Sequence, residues 1–302
     1  MLTFASAHLI TTFQAIVLGF LQGVAELFPI SSLGHTVIFP HLFGWNNIVR
    51  WESAPESPWL AFVVMLHVGS AIGLLIYFWR DWLAIIGAFF RTVGKRRVET
   101  PTERLAWLII IATIPVGILG LVLEHPLRTL FAKPLAASIF LVVNGCILVA
   151  AERYRRRAAV RELAAREGAK PDGARQLDTL EYREAALIGV AECTALIAGI
   201  SRDGVCMGSG SARGLDHSDA GRFAFLLATP PILAAGLLKI GDLTGPLGNG
   251  GVRGAAVIAA VVAAITAIIT VRFLTRYLQT RTLMPFAVYC LVFGGAMVVV
   301  NA

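Results

Sequence analysis

Six apolar runs, 58–79, 105–123, 134–151, 222–240, 253–271 and 283–300, each come close to the roughly 20 residues a helix needs to cross about 30 Å of hydrocarbon. A chain built from such runs folds in a bilayer, where no water satisfies stray backbone groups and only helices or closed barrels can span. Runs of this length select helices. Composition agrees, since 57% of the 302 residues are hydrophobic and 15% are charged, against about 25% charged in a soluble domain. The expected fold is all-α and polytopic, with about six transmembrane helices.

The segment at about 8–28 has no basic leader and no small-residue cleavage site, so it does not read as a signal peptide. Cys146, Cys193, Cys206 and Cys290 lie in apolar surroundings without C-x-x-C spacing and read as small buried hydrophobes. The net charge of +7 does not imply nucleic acid, because the cations gather between spans. The 80–104 connection holds Arg80, Arg91, Lys95, Arg96, Arg97 and Arg104, and 152–184 holds Arg153, Arg155, Arg156 and Arg157, whereas 124–133 holds only Arg128 and Lys133. Basic loops face the cytoplasm, so the first two are expected inside and the third outside. The run at 153–157 reads as a solvated loop near anionic headgroups.

Two stretches interrupt this pattern. GFLQGVAELFPISSLGH (19–35) falls in register on GVAECTALIAGISRDGV (189–205), matching Gly19 with Gly189, Gln22 with Glu192, Ala25 with Ala195, Ile30 with Ile200, Ser31 with Ser201 and Gly34 with Gly204. Each copy is flanked by apolar pieces too short to span and contains helix-breaking Pro or Gly with Ser. Each is expected to form a re-entrant helical hairpin followed by three spans. Three is odd, so the second copy is inverted, in an inverted-topology repeat that gathers functional groups near the midplane. The organisation expected is one membrane domain, 1–302, with a first repeat 1–151, a cytoplasmic linker 152–184 that extends its flanking helices, and an inverted second repeat 185–302.

Ionisable residues inside a membrane are costly and are functional candidates by default. The first stretch offers Glu26, Ser31, Ser32 and His35, with Gln22 one turn before Glu26 on the same helix face; the second offers Glu192, Ser201, Arg202, Asp203 and Gly204. A guanidinium suits phosphate oxygens. Gly-flanked Ser-Arg at a helix start adds backbone N–H groups and dipole to an anion site. A carboxylate nearby can hold Mg²⁺ or Ca²⁺ or accept a proton, and a Ser or His close to phosphorus can attack it. Together these residues read as phosphate-ester chemistry at a membrane. Three other polar residues read more plainly. His67 looks like a packed, hydrogen-bonded histidine, Arg222 like an interface anchor or a structural ion pair, and Glu192 equally like a site residue or a solvated group at the entry of the second hairpin.

The motifs QGVAE and PISSLGH, with AGISRDGVC in the second copy, resemble the undecaprenyl-diphosphate phosphatase family, the bacitracin-resistance membrane phosphatases. HVGSAIGLLIYFWRDW (67–82), IATIPVGILGL (111–121), GRFAFLLATPPILAAG (221–236) and MPFAVYC (284–290) extend the likeness over most of the chain. The resemblance implies hydrolysis of undecaprenyl diphosphate to undecaprenyl phosphate and inorganic phosphate, with a divalent cation (Mg²⁺ or Ca²⁺), in the bacterial cytoplasmic membrane with the site facing outward. It implies Glu26 as the essential carboxylate, on metal or proton, and Gln22 where a second Glu is common. Ser32 and His35 become nucleophile and acid/base in an order left open, Ser201 and Arg202 clamp the diphosphate, and Ser31 and Gly204 complete the binding set. The partners implied are a polyprenyl diphosphate and the bilayer, with no nucleic acid and with a homodimer left open. This chain departs from the pattern at Ala198 for proline, Asp203 for serine, Cys206 for threonine and Cys290 for arginine. A polyprenyl-phosphate carrier without hydrolysis is the alternative. A second class of lipid phosphatase needs a His six residues after its Arg, where this chain has Gly208.

Overall fold

A computed structural model describes residues 10–52, 59–130, 133–165, 175–244 and 252–302. The first polar stretch forms two short helices, α1 (Thr12–Ala25) and α2 (Ser32–Leu42), followed by α3 (Asn46–Glu52). At 1.5 Å per residue α1 is about 21 Å long and α2 about 16 Å, so neither crosses a bilayer alone. Three long helices follow, α4 (Trp59–Tyr77), α6 (Pro101–Leu130) and α7 (Pro134–Ala165), with α5 (Trp79–Lys95) lying between the first two. The second stretch repeats the pattern with short α8 (Tyr182–Glu192) and α9 (Arg202–Ala212). The long helices α10 (His217–Thr244), α11 (Val252–Tyr277) and α12 (Met284–Asn301) complete the chain.

Six of these helices, α4, α6, α7, α10, α11 and α12, are long and apolar enough to cross a membrane, matching the six runs read from sequence. No strand element occurs among the described residues. The 80–104 connection differs from the sequence reading, because most of it is helical. In α5, Ile85, Ala88 and Thr92 are buried while Trp79, Leu83, Ile86 and Phe90 stay exposed. Basic residues accompany this exposed apolar stripe, the pattern of a helix lying in the interface.

Polar caps account for the short helices. Thr11 opens α1 with a capping box, its hydroxyl accepting from the Gln14 N–H while the Gln14 side chain accepts from the Thr11 N–H. Ser31 and Ser201 open α2 and α9 in the same manner, each accepting from the N–H three residues on, that of Gly34 and of Gly204. These caps satisfy N–H groups that a helix break in the membrane interior would otherwise leave orphaned.

Lipid tails are as apolar as leucine, so helix association in a membrane relies on close backbone approach through small residues. Helix α11 presents such a surface on two sides. A Cβ on Gly19 or Gly23 of α1 would run into the backbone of Ala259 or Ala263, and one on Gly69 or Gly73 of α4 into that of Ala260 or Ala264. Gly189 of α8, the residue aligned with Gly19, meets the Ala112 backbone of α6 in the same way. At Gly23 the collision would be at 2.6 Å with both the Ala263 carbonyl and the Thr266 Cβ. Gly23→Val is therefore expected to push α1 off α11 and cost about 1–3 kcal/mol. Thermal unfolding in detergent reads that cost, and an unchanged midpoint would show that α1 does not rest there.

Near residue 175 the chain is pinned to the bundle. Arg175 pairs through backbone atoms with Gly214, and its guanidinium donates to both carboxylate oxygens of Glu184 at 2.9 Å and to the Thr179 carbonyl at 2.7 Å. Those bonds hold the Glu184 carboxyl below the usual carboxylate range. Helix α7 runs to Ala165, so the helical extension expected of the 152–184 segment is present on its first side.

Candidate active site

The chain breaks its first helix at Glu26. Its N–H still bonds back to the Gln22 carbonyl at 2.9 Å, but Pro29 has no N–H to continue the ladder, and the next helix starts only at Ser32. Ser31 makes the corner with φ 67°, a conformation that side chains beyond glycine adopt at a cost of order 1–3 kcal/mol unless the surroundings fix it. Three bonds fix it here. The Ser31 hydroxyl accepts from the N–H groups of Gly34 at 3.3 Å and Gly199 at 3.2 Å, and its carbonyl accepts from His35 Nδ1 at 2.7 Å.

That corner puts the Ser32 hydroxyl against Glu26. Oε2 of Glu26 accepts from Ser32 Oγ and, at 3.0 Å, from Gln22 Nε2, and it lies 3.3 Å from His67 Nε2. Oε1 pairs with Nη2 of Arg202, from the second stretch. Arg202 also donates from Nη1 to the Ala228 carbonyl of α10 at 3.3 Å, two residues before the Pro230–Pro231 pair inside that helix. Glu26 and Ser32 are 7% and 6% exposed, and the Arg202 side chain 17%. A carboxylate so deeply placed needs paired, hydrogen-bonded partners, and Arg202, Ser32 and Gln22 provide them.

His67 is the site residue that sequence reading missed. Its Nδ1 sits 2.8 Å from the Val63 carbonyl, which fixes Nδ1 as the protonated nitrogen and turns Nε2 toward the cluster, 3.4 Å from Ser32 Oγ. The available signal was a single imidazole inside an apolar span, which by the cost of membrane burial is a functional candidate. His35 is placed elsewhere. Besides its Nδ1 bond to Ser31, its Nε2 accepts from Tyr289 OH at 2.8 Å, and its ring lies among Phe39, Tyr289 and Phe293 at centroid distances of 5.5–5.7 Å. No hydrogen bond or ion pair among the described residues joins it to Glu26 or Arg202. In this structure it bonds the carbonyl of the corner residue, Ser31.

The other expected binding residues form the frame. Ser31 and Ser201 cap helices, and Gly204 packs where an added Cβ would stand 3.2 Å from the Pro29 side chain. Asp203, which replaces the usual serine, is fully buried with its Oδ1 3.9 Å from Arg202 Nε, and neither of its oxygens has a hydrogen-bond partner among the described residues. Glu192 is fully buried too, with both oxygens unpartnered, so the solvated reading of it fails because its helix packs against α6 and α9. Arg222 bonds Asp81 of α5, the structural ion pair among its two readings. Cys206 and Cys290 are buried free thiols, whereas Cys146 is exposed and Cys193 half-buried.

The sequence suggested a divalent cation. Among the described residues no three His, Cys, Asp or Glu side chains converge on a point that could hold one, and both oxygens of Glu26 are already bonded. What the cluster can do is hold a hydroxyl against a carboxylate, with a guanidinium and the N-termini of α2 and α9 supplying positive potential for an anion.

Residues 15–296 match the family described as "Bacitracin resistance protein BacA". The chain is 50% identical to the undecaprenyl-diphosphatase of Mycolicibacterium paratuberculosis, covering 97% of this chain and 98% of that one. It is 48% identical to undecaprenyl-diphosphatase 2 of Frankia alni over 95% and 97% of the two chains. It is 39% identical to undecaprenyl-diphosphatase 2 of Chromobacterium violaceum over 93% and 95%.

Proposed function

The chain belongs to the bacitracin resistance protein BacA family, and on that premise we propose that it hydrolyses undecaprenyl diphosphate to undecaprenyl phosphate and inorganic phosphate, recycling the lipid carrier of cell-wall synthesis. The observation that supports this most is the contact of Ser32 and Arg202 on one carboxylate, Glu26, because it joins a nucleophile, a proton acceptor and an anion-binding group.

The reaction proceeds in two displacements. Ser32 Oγ attacks the terminal phosphorus while its proton passes to Glu26, the carboxylate it already faces. The bond from that phosphorus to the bridging oxygen breaks, and undecaprenyl phosphate leaves with the bonding electrons. Water then attacks the phosphorus of the phosphoserine and gives a proton to His67 Nε2, the P–Oγ bond breaks, and Glu26 returns its proton to the departing Oγ, releasing inorganic phosphate and free Ser32. Arg202 spans Glu26 and the diphosphate, with charge placed where the phosphoryl oxygens gather it. His67, with Nε2 near Ser32 Oγ and Glu26, is the second group able to take or return the proton. His35 takes no part in proton transfer and acts through Ser31. A divalent cation would be held by Glu26 and would supply charge neutralisation for the diphosphate oxygens.

The molecule is a multi-pass membrane protein. We further assign it to the bacterial cytoplasmic membrane with two inverted halves and the site open to the outer face, which the basic 80–104 and 152–184 segments support. The test uses purified protein in detergent with undecaprenyl diphosphate. Phosphate release is expected, and Ser32→Ala, which removes one oxygen from a residue 6% exposed, is expected to lower it by roughly 10³-fold or more. Lipid movement across liposomes with no phosphate released would instead favour a carrier.

A further inference from the structure

The two broken segments that carry Ser32 and Arg202 belong to different halves of the chain, and each break exposes backbone groups deep in the molecule. A single side chain serves both. Asn144, in the middle of α7 and fully buried, donates from Nδ2 to the Pro29 carbonyl at 2.9 Å and accepts at Oδ1 from the Ser201 N–H at 3.0 Å. Its Nδ2 also lies 3.4 Å from Cys290 Sγ of α12. Pro29 is three residues from Ser32, and Ser201 is the residue before Arg202.

We propose that Asn144 is a positioning residue for the hydrolysis: one carboxamide fastens the break of the first stretch to the start of α9 and so sets the separation of Ser32 from Arg202. A carboxamide is the side chain for this work, because it offers a donor and an acceptor on a rigid plane to two backbone groups of opposite kind. Among the described residues the two stretches are also joined by the Gly199 N–H bond to Ser31 Oγ, on the far side of the same corner, and by the pairing of Arg202 with Glu26 in the site itself. Leucine keeps the branching of asparagine but leaves both backbone groups bare, and aspartate keeps the acceptor for Ser201 while presenting an oxygen to the Pro29 carbonyl. Misplacement of reacting groups by about 1 Å can cost on the order of 10²-fold in rate without weakening binding.

This rests on the hydrolytic reading, so the experiment has an arm that does not need it. In full-length protein in detergent, Asn144→Leu is expected to lower kcat per folded molecule by about tenfold to a hundredfold, and Asn144→Asp by less, with KM for undecaprenyl diphosphate within about threefold. In Asn144→Leu the shape of the pH profile should not move, since Asn144 carries no proton in the reaction. Separately, hydrogen exchange should quicken at the Ser201 amide in the leucine variant, which has lost its acceptor, and through 30–34 in both variants, while α4 and α11 exchange as before. Should the leucine variant not fold, the aspartate variant carries the test. A lowered melting midpoint with kcat and exchange through 30–34 both unchanged would reduce Asn144 to a packing residue, as would a loss confined to KM. Absence of phosphate release from the unsubstituted protein would overturn the hydrolytic reading, and the exchange measurement would still decide whether Asn144 joins the two segments.

Discussion

Glu26→Gln is expected to lower phosphate release by roughly 10²–10⁴-fold, the range of a lost general base. Glutamine keeps the length and the hydrogen-bonding capacity of the side chain, so Ser32 and Gln22 retain a partner, but its amide cannot hold the proton that Ser32 must shed. It also removes the counter-charge of Arg202, which is bonded to Glu26 Oε1. Breaking a buried pair by deleting one partner costs about 3–5 kcal/mol, reduced here because the Arg202 side chain is 17% exposed and the diphosphate can replace the missing charge. The substitution should therefore lower thermal stability in empty protein, and substrate should restore part of it. Comparable turnover in Glu26→Gln and the unsubstituted protein would transfer the proton to His67, whose Nε2 is 3.4 Å from Ser32 Oγ.

Arg202→Lys is expected to lower kcat by about 10²–10³-fold, the usual cost of one lost donor at a developing negative charge. Lysine keeps the charge and loses the planar fork, which in this site reaches Glu26 through Nη2 and the Ala228 carbonyl through Nη1 at 3.3 Å. One ammonium cannot serve Glu26, α10 and a phosphate together. Lysine is the informative substitution because alanine would also leave Glu26, Asp203 and Glu192 around an uncompensated space, and both Asp203 and Glu192 are fully buried. Steady-state kinetics with thermal unfolding separates the two effects. A kcat within a few fold of the unsubstituted protein would show that charge alone, and not the fork, matters.

Why those substitutions could be chosen from sequence follows from the physics of the bilayer. Spans reveal themselves by length and apolarity, and α4, α6, α7, α10, α11 and α12 stand where the runs stood. Polar residues in such surroundings are conspicuous, so Gln22, Glu26, Ser32 and Arg202 were found and do meet. What sequence could not convey is which helix face turns toward them. His67 reaches Ser32 because Gly69 and Gly73 seat α4 against Ala260 and Ala264 of α11, a rotation that periodicity in an almost wholly apolar helix does not encode. His35 lies four residues after Ser31 on α2, and its ring spends both nitrogens on the Ser31 carbonyl and the Tyr289 hydroxyl, a choice of partners that spacing does not convey. Asn144 was silent for a similar reason, since one amide in an apolar run carries no spacing signal until both chain breaks are placed beside it. The helical 79–95 segment was obscured by its charges, which mark an interfacial helix as readily as a loop.

The account stands on one junction, in which a residue from each polar stretch bonds the same carboxylate and the three groups act as a unit. A double-substitution cycle on kcat with Glu26→Gln and Arg202→Lys measures this directly. Groups that act together are strongly non-additive, so the double variant should fall no more than about threefold below the weaker single variant. Losses that multiply across the pair would mean that Glu26 and Arg202 work at separate steps or separate places, and the shared site would be lost with them.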